Sequence, residues 1–448
     1  MPSDLRAVIE SDMCIGCGAC AHAVPTIRLQ FDDVKQMYEP SHPGNELAAS
    51  VCPAVQVDYA GLQARRFPSA QITAYGAVHS VMLAQSTDED RNRKASSGGI
   101  IKELLRQLLE RPEVDGVIAL AEVQGLEFEA RVIRQPAEVD GLPGSIYHSL
   151  PKDGVLELLK SYEGRYVLVG IPCEFEGIFQ YIYKCAPELE ERIYSTVGLI
   201  CGWQYSHHAI RAICRYKGID FDEISAISYR GGGPVGKLRI SSGGEPYEIS
   251  RRLDFGYQVA FDRSFNTPRC HLCVNHSNYL ADVVVGDAWL PSTVATRTGI
   301  SLVINRTRES FDIMRDLEAS GRIVTVDASV EEIKESQKPR IVFGDLAYGY
   351  AEFRRERGLH TPLLDGPNRL RARLPSIDEI EVFHSELQVK LALQRARRYR
   401  RLYWRKATVE LPRLASRYWE WFSVRVLRRK SLMGARRELP RKQMSVFR

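Results

Sequence analysis

Between residues 160 and 310 the apolar positions fall into three short, β-branched runs. They are Tyr166-Val167-Leu168-Val169-Gly170-Ile171, Thr196-Val197-Gly198-Leu199-Ile200 and Ala281-Asp282-Val283-Val284-Val285. Runs this short, with little polar alternation, read as strands buried on both faces. Amphipathic stretches of helical period lie between them, such as Ala209–Lys217 and Phe179–Cys185. Upstream, the pattern predicts a strand near Ala77–Gln85, a helix from Gly99 to about Glu110 and a strand at Gly116–Ala121. Residues 1–65 are short-stranded and rich in cysteine, and residues 66–72 read as a linker. Residues 310–385 read as mixed helix and loop, and from Lys390 the chain is helical, basic and aromatic. Strands interleaved with helices predict an α/β core.

Composition narrows the class. With 448 residues, 44% of them hydrophobic, the chain has material for about three domains. It is not a disordered, collagen-like or disulfide-stapled miniature chain. The net charge of +5 hides an asymmetry. Lys390 to Arg448 holds 19 Lys/Arg against 3 Glu, while the rest holds 42 bases against 53 acids. A mildly acidic body therefore carries a strongly basic tail. No apolar run approaches the ~20 residues needed to cross a bilayer, and Met1–Arg6 has no apolar signal core. The expected location is cytoplasmic. In a reducing compartment ten cysteines point to metal or redox chemistry rather than disulfides.

The cysteine spacing is specific. Cys14-Ile15-Gly16-Cys17-Gly18-Ala19-Cys20 is C-x2-C-x2-C. The bacterial ferredoxin run continues x3-C-P, its last Cys serving a second cluster. Here that place holds Val24-Pro25, so the Pro remains without its Cys. Downstream, Val51-Cys52-Pro53 ends a second run, whose other cysteines would fall at His42, Asn45 and Ala48. The arrangement reads as a two-cluster module with one cluster deleted. Cys14, Cys17, Cys20 and Cys52 would then hold one 4Fe-4S cluster. Four cysteines also suit a structural zinc ion, but three at successive x2 spacings plus a remote Cys-Pro favour iron–sulfur.

Four more cysteines sit at strand ends or in a knuckle. Cys173 and Cys201 each follow a predicted strand, and Cys270-His271-Leu272-Cys273 precedes another. Ligands of open α/β sheets collect outside the carboxyl ends of strands. These four would form a second 4Fe-4S set; the alternative is two buried free cysteines beside half a zinc knuckle. Cys185 and Cys214 lie on helical stretches and read as core. Ser96-Ser97-Gly98-Gly99 precedes a helix, where free N–H groups and the dipole suit a phosphate or a flavin edge; the same sequence is also a good cap and turn. Arg230-Gly231 and Gly286-Asp287 are further glycine turns. Trp203 and Trp289 read as ring-cofactor contacts or as core. His207-His208 read as proton carriers or as surface histidines.

In this order the motifs resemble the coenzyme F420 hydrogenase/dehydrogenase beta-subunit family over roughly residues 10–310. The resemblance implies an iron–sulfur flavoprotein with FAD and 4Fe-4S clusters, here two. It implies an oxidoreductase that moves electrons between clusters, flavin and a carrier, ferredoxin or the deazaflavin coenzyme F420, to reduce a small molecule. Some members are linked to polysaccharide synthesis. The alternative is a non-catalytic electron-transfer subunit that feeds a partner enzyme. The resemblance places Cys173, Cys201, Cys270 and Cys273 at the core cluster and Ser96, Ser97, Gly98 and Gly99 on a flavin-contacting turn. Arg230, Gly231, Gly286 and Asp287 are further cofactor candidates.

The expected fold class is α+β / α/β. It comprises a ferredoxin-like 4Fe-4S module over 1–65, a mixed α/β flavin-binding core and a basic helical tail over 390–448. On the resemblance the core divides into a family N-terminal domain over 75–160 and a C-terminal domain over 161–340. In the tail, Trp404, Trp419, Trp421 and Phe422 stand among arginines. That mixture suits an anionic membrane surface on the inner face or an acidic partner protein. The body carries no nucleic-acid motif, so no specific nucleic acid is expected.

Overall fold

The structure is a computed structural model that describes residues 3–233, 236–294, 296, 298–365 and 375–408. Its centre is an eight-stranded mixed sheet. In chain order the strands are β1 (Ser80–Ser86), β2 (Gly116–Gln124), β3 (Glu127–Ile133), β4 (Tyr166–Gly170), β5 (Ile193–Leu199), β6 (Val283–Asp287), β7 (Ser301–Asn305) and β8 (Ile323–Ala328). Across the sheet the order is β8-β1-β7-β6-β5-β4-β2-β3. The strands β2, β4, β5 and β6 are parallel neighbours. Both β1 and β6 run antiparallel to β7, so they share one direction. The register sets Gly170 beside Gly198, and Gly198 beside Val284. The carboxyl ends of β1, β4, β5 and β6 thus share one edge.

The main helices are α1 (Ile100–Leu109), α2 (Gly154–Ser161), α3 (Pro172–Cys185), α4 (His208–Lys217), α5 (Arg308–Ala319), α6 (Lys338–Glu356) and α7 (Ile377–Arg395). Side chains alternate across a strand, and both faces of this sheet are covered. Leu83, Ile118, Leu168, Val284 and Leu302 pack with α2 and α3. Met82, Val117, Val167, Val285 and Val303 pack with α1 and α5. Two buried faces explain why the runs in β4, β5 and β6 show little polar alternation.

Two smaller layers flank this body. One is a three-stranded antiparallel sheet, Ile224–Ser228, Lys237–Ser242 and Glu245–Ser250, covered by α4. The other is the cysteine-rich N-terminal region, a hairpin of Leu29–Asp32 and Met37–Pro40 with short helices around it. It packs against α6 and α7 through Leu5, Val8, Ile27, Tyr350, Phe353 and Leu387.

Two expectations are corrected here. Residues 66–72 are not a bare spacer, because Phe67 is buried and Arg66 pairs with Asp282 at 2.8 Å. Residues 390–408 are not a detached tail. Tyr399, Leu402 and Tyr403, on the helical stretch 399–408, are buried against α4 and the small sheet, and Tyr403 stacks on Tyr216. Trp419, Trp421 and Phe422 lie outside the described residues. Among the described residues no helix is long and apolar enough to cross a membrane.

Candidate redox site

The first cysteine loop is shaped by two glycines. Gly16 and Gly18 have φ of +70° and +79°, where only glycine sits without strain. A Cβ on Gly16 would lie 2.3 Å from Leu150 O, and one on Gly18 would lie 2.4 Å from Asp153 Cα. The loop therefore presses directly on residues 150–153. Lys152 Nζ reaches back to Ile15 O at 2.7 Å.

Within this loop Cys14, Cys17, Cys20 and Cys52 are close enough to disfavour one another's ionisation. Burial pushes the Cys14 thiol up to about 12, and Gly16 N–H opposes it at 3.4 Å. Burial and then the neighbouring thiols raise Cys17 and Cys20. Burial also raises Cys52, opposed by the N–H groups of Ala54 and Val55. Backbone N–H groups of Ala19 and Ala21 favour the thiolates of Cys17 and Cys20. Buried thiols that already accept N–H bonds lack only positive charge, which a bound iron group would supply.

The second four come from three elements. Cys173 stands in the first turn of α3, directly after β4, and Cys201 follows β5. Burial raises Cys173, Lys152 opposes it and Cys201 adds to it. The loop after β5 is stitched to the C-x2-C loop. Cys201 N donates to His276 O at 3.0 Å, Thr267 N to Gln204 O at 2.9 Å, and Gln204 N to Cys270 Sγ at 3.4 Å. Cys273 is pushed up to about 12 by burial, with Arg269 opposing. Among the described residues no three such ligands close on a single ion.

A buried ion pair links the two sets. Arg269 Nη2 lies 3.8 Å from Glu176 Oε2, with 3% and 1% of the side chains exposed. Glu176 also accepts Tyr59 OH and Asn275 Nδ2, each at 2.8 Å. Arg269 donates to Pro53 O, next to Cys52, and favours the thiolates of Cys52 and Cys273.

Beside the second set a cavity of about 450 Å³ opens at the shared strand edge. That volume lies within the range of small-molecule sites. Ser96, Ser97, Gly99, Arg230, Gly286 and Asp287 line it, together with Cys201, Lys152, Trp203 and Trp289. The N-terminus of α1, capped by Gly99 at φ +81°, faces this edge. Ser96 Oγ meets Ser145 Oγ at 2.8 Å, and Ser97 Oγ donates to Ile300 O at 3.0 Å. Arg230 Nη1 pairs with Asp287 Oδ2 at 2.5 Å. The neighbouring glycine turn is tied to the serine turn by Gly232 N donating to Arg93 O at 2.9 Å. An aromatic rim, a buried guanidinium and a helix N-terminus fit a ring system carrying anionic groups.

Not every candidate faces the cavity. Gly98 is packed inside the sheet edge: its N–H donates to Ser301 Oγ at 2.9 Å, and a Cβ would lie 2.6 Å from Ala84 O. Gly231 packs against Lys94 O and shapes the turn behind Arg230. Trp289 is 41% exposed on the rim, so it is not core. His207 and His208 are neither surface groups nor proton carriers. They are buried against Ser149 O, Val34 O and Tyr399 OH, and burial lowers both to about 4. The sequence reading missed Lys152, Glu176, Gly177 and Arg269. A Cβ on Gly177 would lie 2.7 Å from Cys17 Sγ. A glycine inside a helix was the available signal for it.

An α/β body with a cysteine-rich layer at one end and a cleft at its strand edge defines a redox-type architecture. The same fold is found in a chain of the F420-reducing [NiFe] hydrogenase complex from Methanosarcina barkeri, with a TM-score of 0.51 at 20% identity. That likeness covers 66% of this chain and 98% of that one. Two family models match, both describing the beta subunit of coenzyme F420 hydrogenase/dehydrogenase: its N-terminal part over residues 81–157 and its C-terminal part over residues 163–331. Together they take in more than half of the chain, which belongs to the coenzyme F420 hydrogenase/dehydrogenase beta-subunit family. Similar proteins include the F-type subunit of the F(420)H(2) dehydrogenase of Methanosarcina mazei, 22% identical over 72% of this chain and 92% of its own length. The coenzyme F420 hydrogenase beta subunit of Methanothermobacter thermautotrophicus is 24% identical over 64% of this chain and 99% of its own. Coenzyme F420-dependent sulfite reductase of Methanocaldococcus jannaschii is 22% identical over 75% of this chain, and the match spans 50% of that protein.

Proposed function

We propose that this chain is an oxidoreductase that passes electrons between two 4Fe-4S clusters, FAD and a carrier, ferredoxin or coenzyme F420, to reduce a small molecule. The observation that carries this reading is Cys201, which belongs to the second cysteine group and also forms part of the cavity wall. A cluster held by Cys173, Cys201, Cys270 and Cys273 would therefore border a ring bound in the cavity. The set of Cys14, Cys17, Cys20 and Cys52 would hold the other cluster, with Lys152 and Arg269 between the two groups. Clusters of this kind exchange single electrons, and a flavin couples them to two-electron chemistry. The chain's part is to fix these centres and supply N–H groups and buried cations around the sulfurs. At the cavity, Arg230 and the N-terminus of α1 would take anionic groups of the flavin, and Trp289 would shield its ring.

Anaerobic purification followed by iron, sulfide and flavin assay tests the reading. Two cubanes require about eight irons per chain, with one releasable flavin. Cys52→Ser should leave about four irons, because the two sets share no ligand. Zinc in place of iron, with no broad visible absorption, would overturn it.

A second reading is favoured by the relatives described as subunits and by the hydrogenase complex. In it the chain carries electrons to a partner enzyme that holds the substrate. Turnover of a small molecule by the purified chain alone would exclude that reading.

A further inference from the structure

The helical stretch 399–408 divides its side chains sharply. Tyr399, Leu402 and Tyr403 are buried in the body, while Arg400, Arg401, Trp404 and Arg405 face outward. Trp404 is 72% exposed. Positions 400, 401, 404 and 405 share one face of a helix, so the tryptophan stands within an arginine stripe. Arg398 and these three arginines have no carboxylate partner among the described residues. Trp and Arg are the residue types that dominate protein–protein hot spots.

The position of this stripe matters as much as its charge. Arg395, at the end of α7, pairs with the buried carboxylate of Asp12. Cys14 follows two residues later, which is at most about 7 Å along the chain. Arg397 donates to Asp33 O in the N-terminal hairpin turn at 3.4 Å. The basic face thus abuts the layer that holds the first cysteine set. A helix lying in a membrane interface must insert its apolar face. Here that face is already committed to the body, which favours a protein partner.

We propose that Arg398, Arg400, Arg401, Trp404 and Arg405 form the docking face for an acidic electron-carrier protein, which exchanges electrons with the centre held by Cys14, Cys17, Cys20 and Cys52. The proposal rests on the iron–sulfur reading above. Each productive encounter oxidises the reduced carrier by one electron and reduces that centre by one. The opposite charges of the two proteins would steer the encounter.

The test uses the full chain, a strongly acidic two-cluster bacterial ferredoxin and the small reductant dithionite. Stopped-flow bleaching should show R400E/R401E reduced by ferredoxin about tenfold or more slowly at low ionic strength, with the gap closing as salt rises. Dithionite should bleach both proteins equally, and R400K/R401K should restore the ferredoxin rate. Calorimetry with oxidised ferredoxin should show weaker binding to R400E/R401E and to W404A. Equal ferredoxin binding and rates in wild type and R400E/R401E would overturn the proposal. So would loss of co-sedimentation with phosphatidylserine vesicles at an unchanged ferredoxin rate, which would mark the face as a membrane surface. Failure of dithionite to bleach the wild type would instead remove the iron–sulfur reading. Calorimetry would then still decide whether the face binds the carrier.

Discussion

Cys17 and Gly177 meet across the boundary between the N-terminal layer and α3. The helix could accept an alanine at 177 without backbone strain. The sulfur could not, because the new Cβ would lie 2.7 Å from it. Gly177→Ala should therefore displace Cys17 and cost the first cluster, about four of eight irons, while the second stays. Iron and sulfide assay with EPR reads this directly. Equal iron in variant and wild type would mean that Cys17 is not a ligand or that α3 shifts freely. At the same scale, the Arg269–Glu176 pair shows why a residue beside a ligand matters. Its buried charge faces both cysteine groups, although it ligates nothing.

At the scale of elements, the stretch 399–408 behaves as part of the core. Tyr403 is buried, stacks on Tyr216 and donates to Gly256 O at 3.3 Å. Tyr403→Ala should cost about 3–5 kcal/mol, as large aromatic truncations do, seen as a lower midpoint in urea. A chain ending after Ser385 loses Leu387, Tyr399, Leu402 and Tyr403 from two cores. It should unfold at lower denaturant than a chain ending after Thr408. Equal midpoints for the two would return the whole basic segment to the status of a tail. The strand-edge turns behave differently. The Ser96–Gly99 turn owes its position to the end of β1 and to Ser301 on β7, so its contacts serve the sheet as well as the cavity.

For the molecule as a whole, the buried histidines set a pH limit. His207 and His208 stay neutral in the fold down to about pH 4, against an ordinary value of 6.5. Below about 6.5 the unfolded chain takes up protons that the folded chain refuses. Stability is therefore full above about 6.5 and falls as pH drops toward 4, by about 3 kcal/mol per histidine at the lower end. Urea midpoints at about pH 7.5, 5.5 and 4.5 should decline in that order, and His208→Gln should make the decline shallower. A flat profile would show that neither histidine is held neutral. Because these residues join the N-terminal hairpin, α4 and residue 399, acid should loosen the layers together.

Much of this was legible along the chain, because it depends on local order. The β-branched runs placed β4, β5 and β6 within a few residues, since burial on both faces leaves its mark in each strand's own composition. The C-x2-C-x2-C loop with Cys-Pro marked its own chemistry, as its spacing is the signal. Ser96, Arg230 and Asp287 were singled out as turns, but only the sheet order brings them to one cavity. Lys152, Gly177 and Arg269 acquire meaning from neighbours far away along the chain, which no periodicity records. The same holds for the basic segment. Its charge could be counted, yet an arginine-rich helix reads alike whether its apolar face meets lipid or protein. Only the packing of Tyr399, Leu402 and Tyr403 against α4 and the small sheet assigned that face, because burial is a property of what lies opposite.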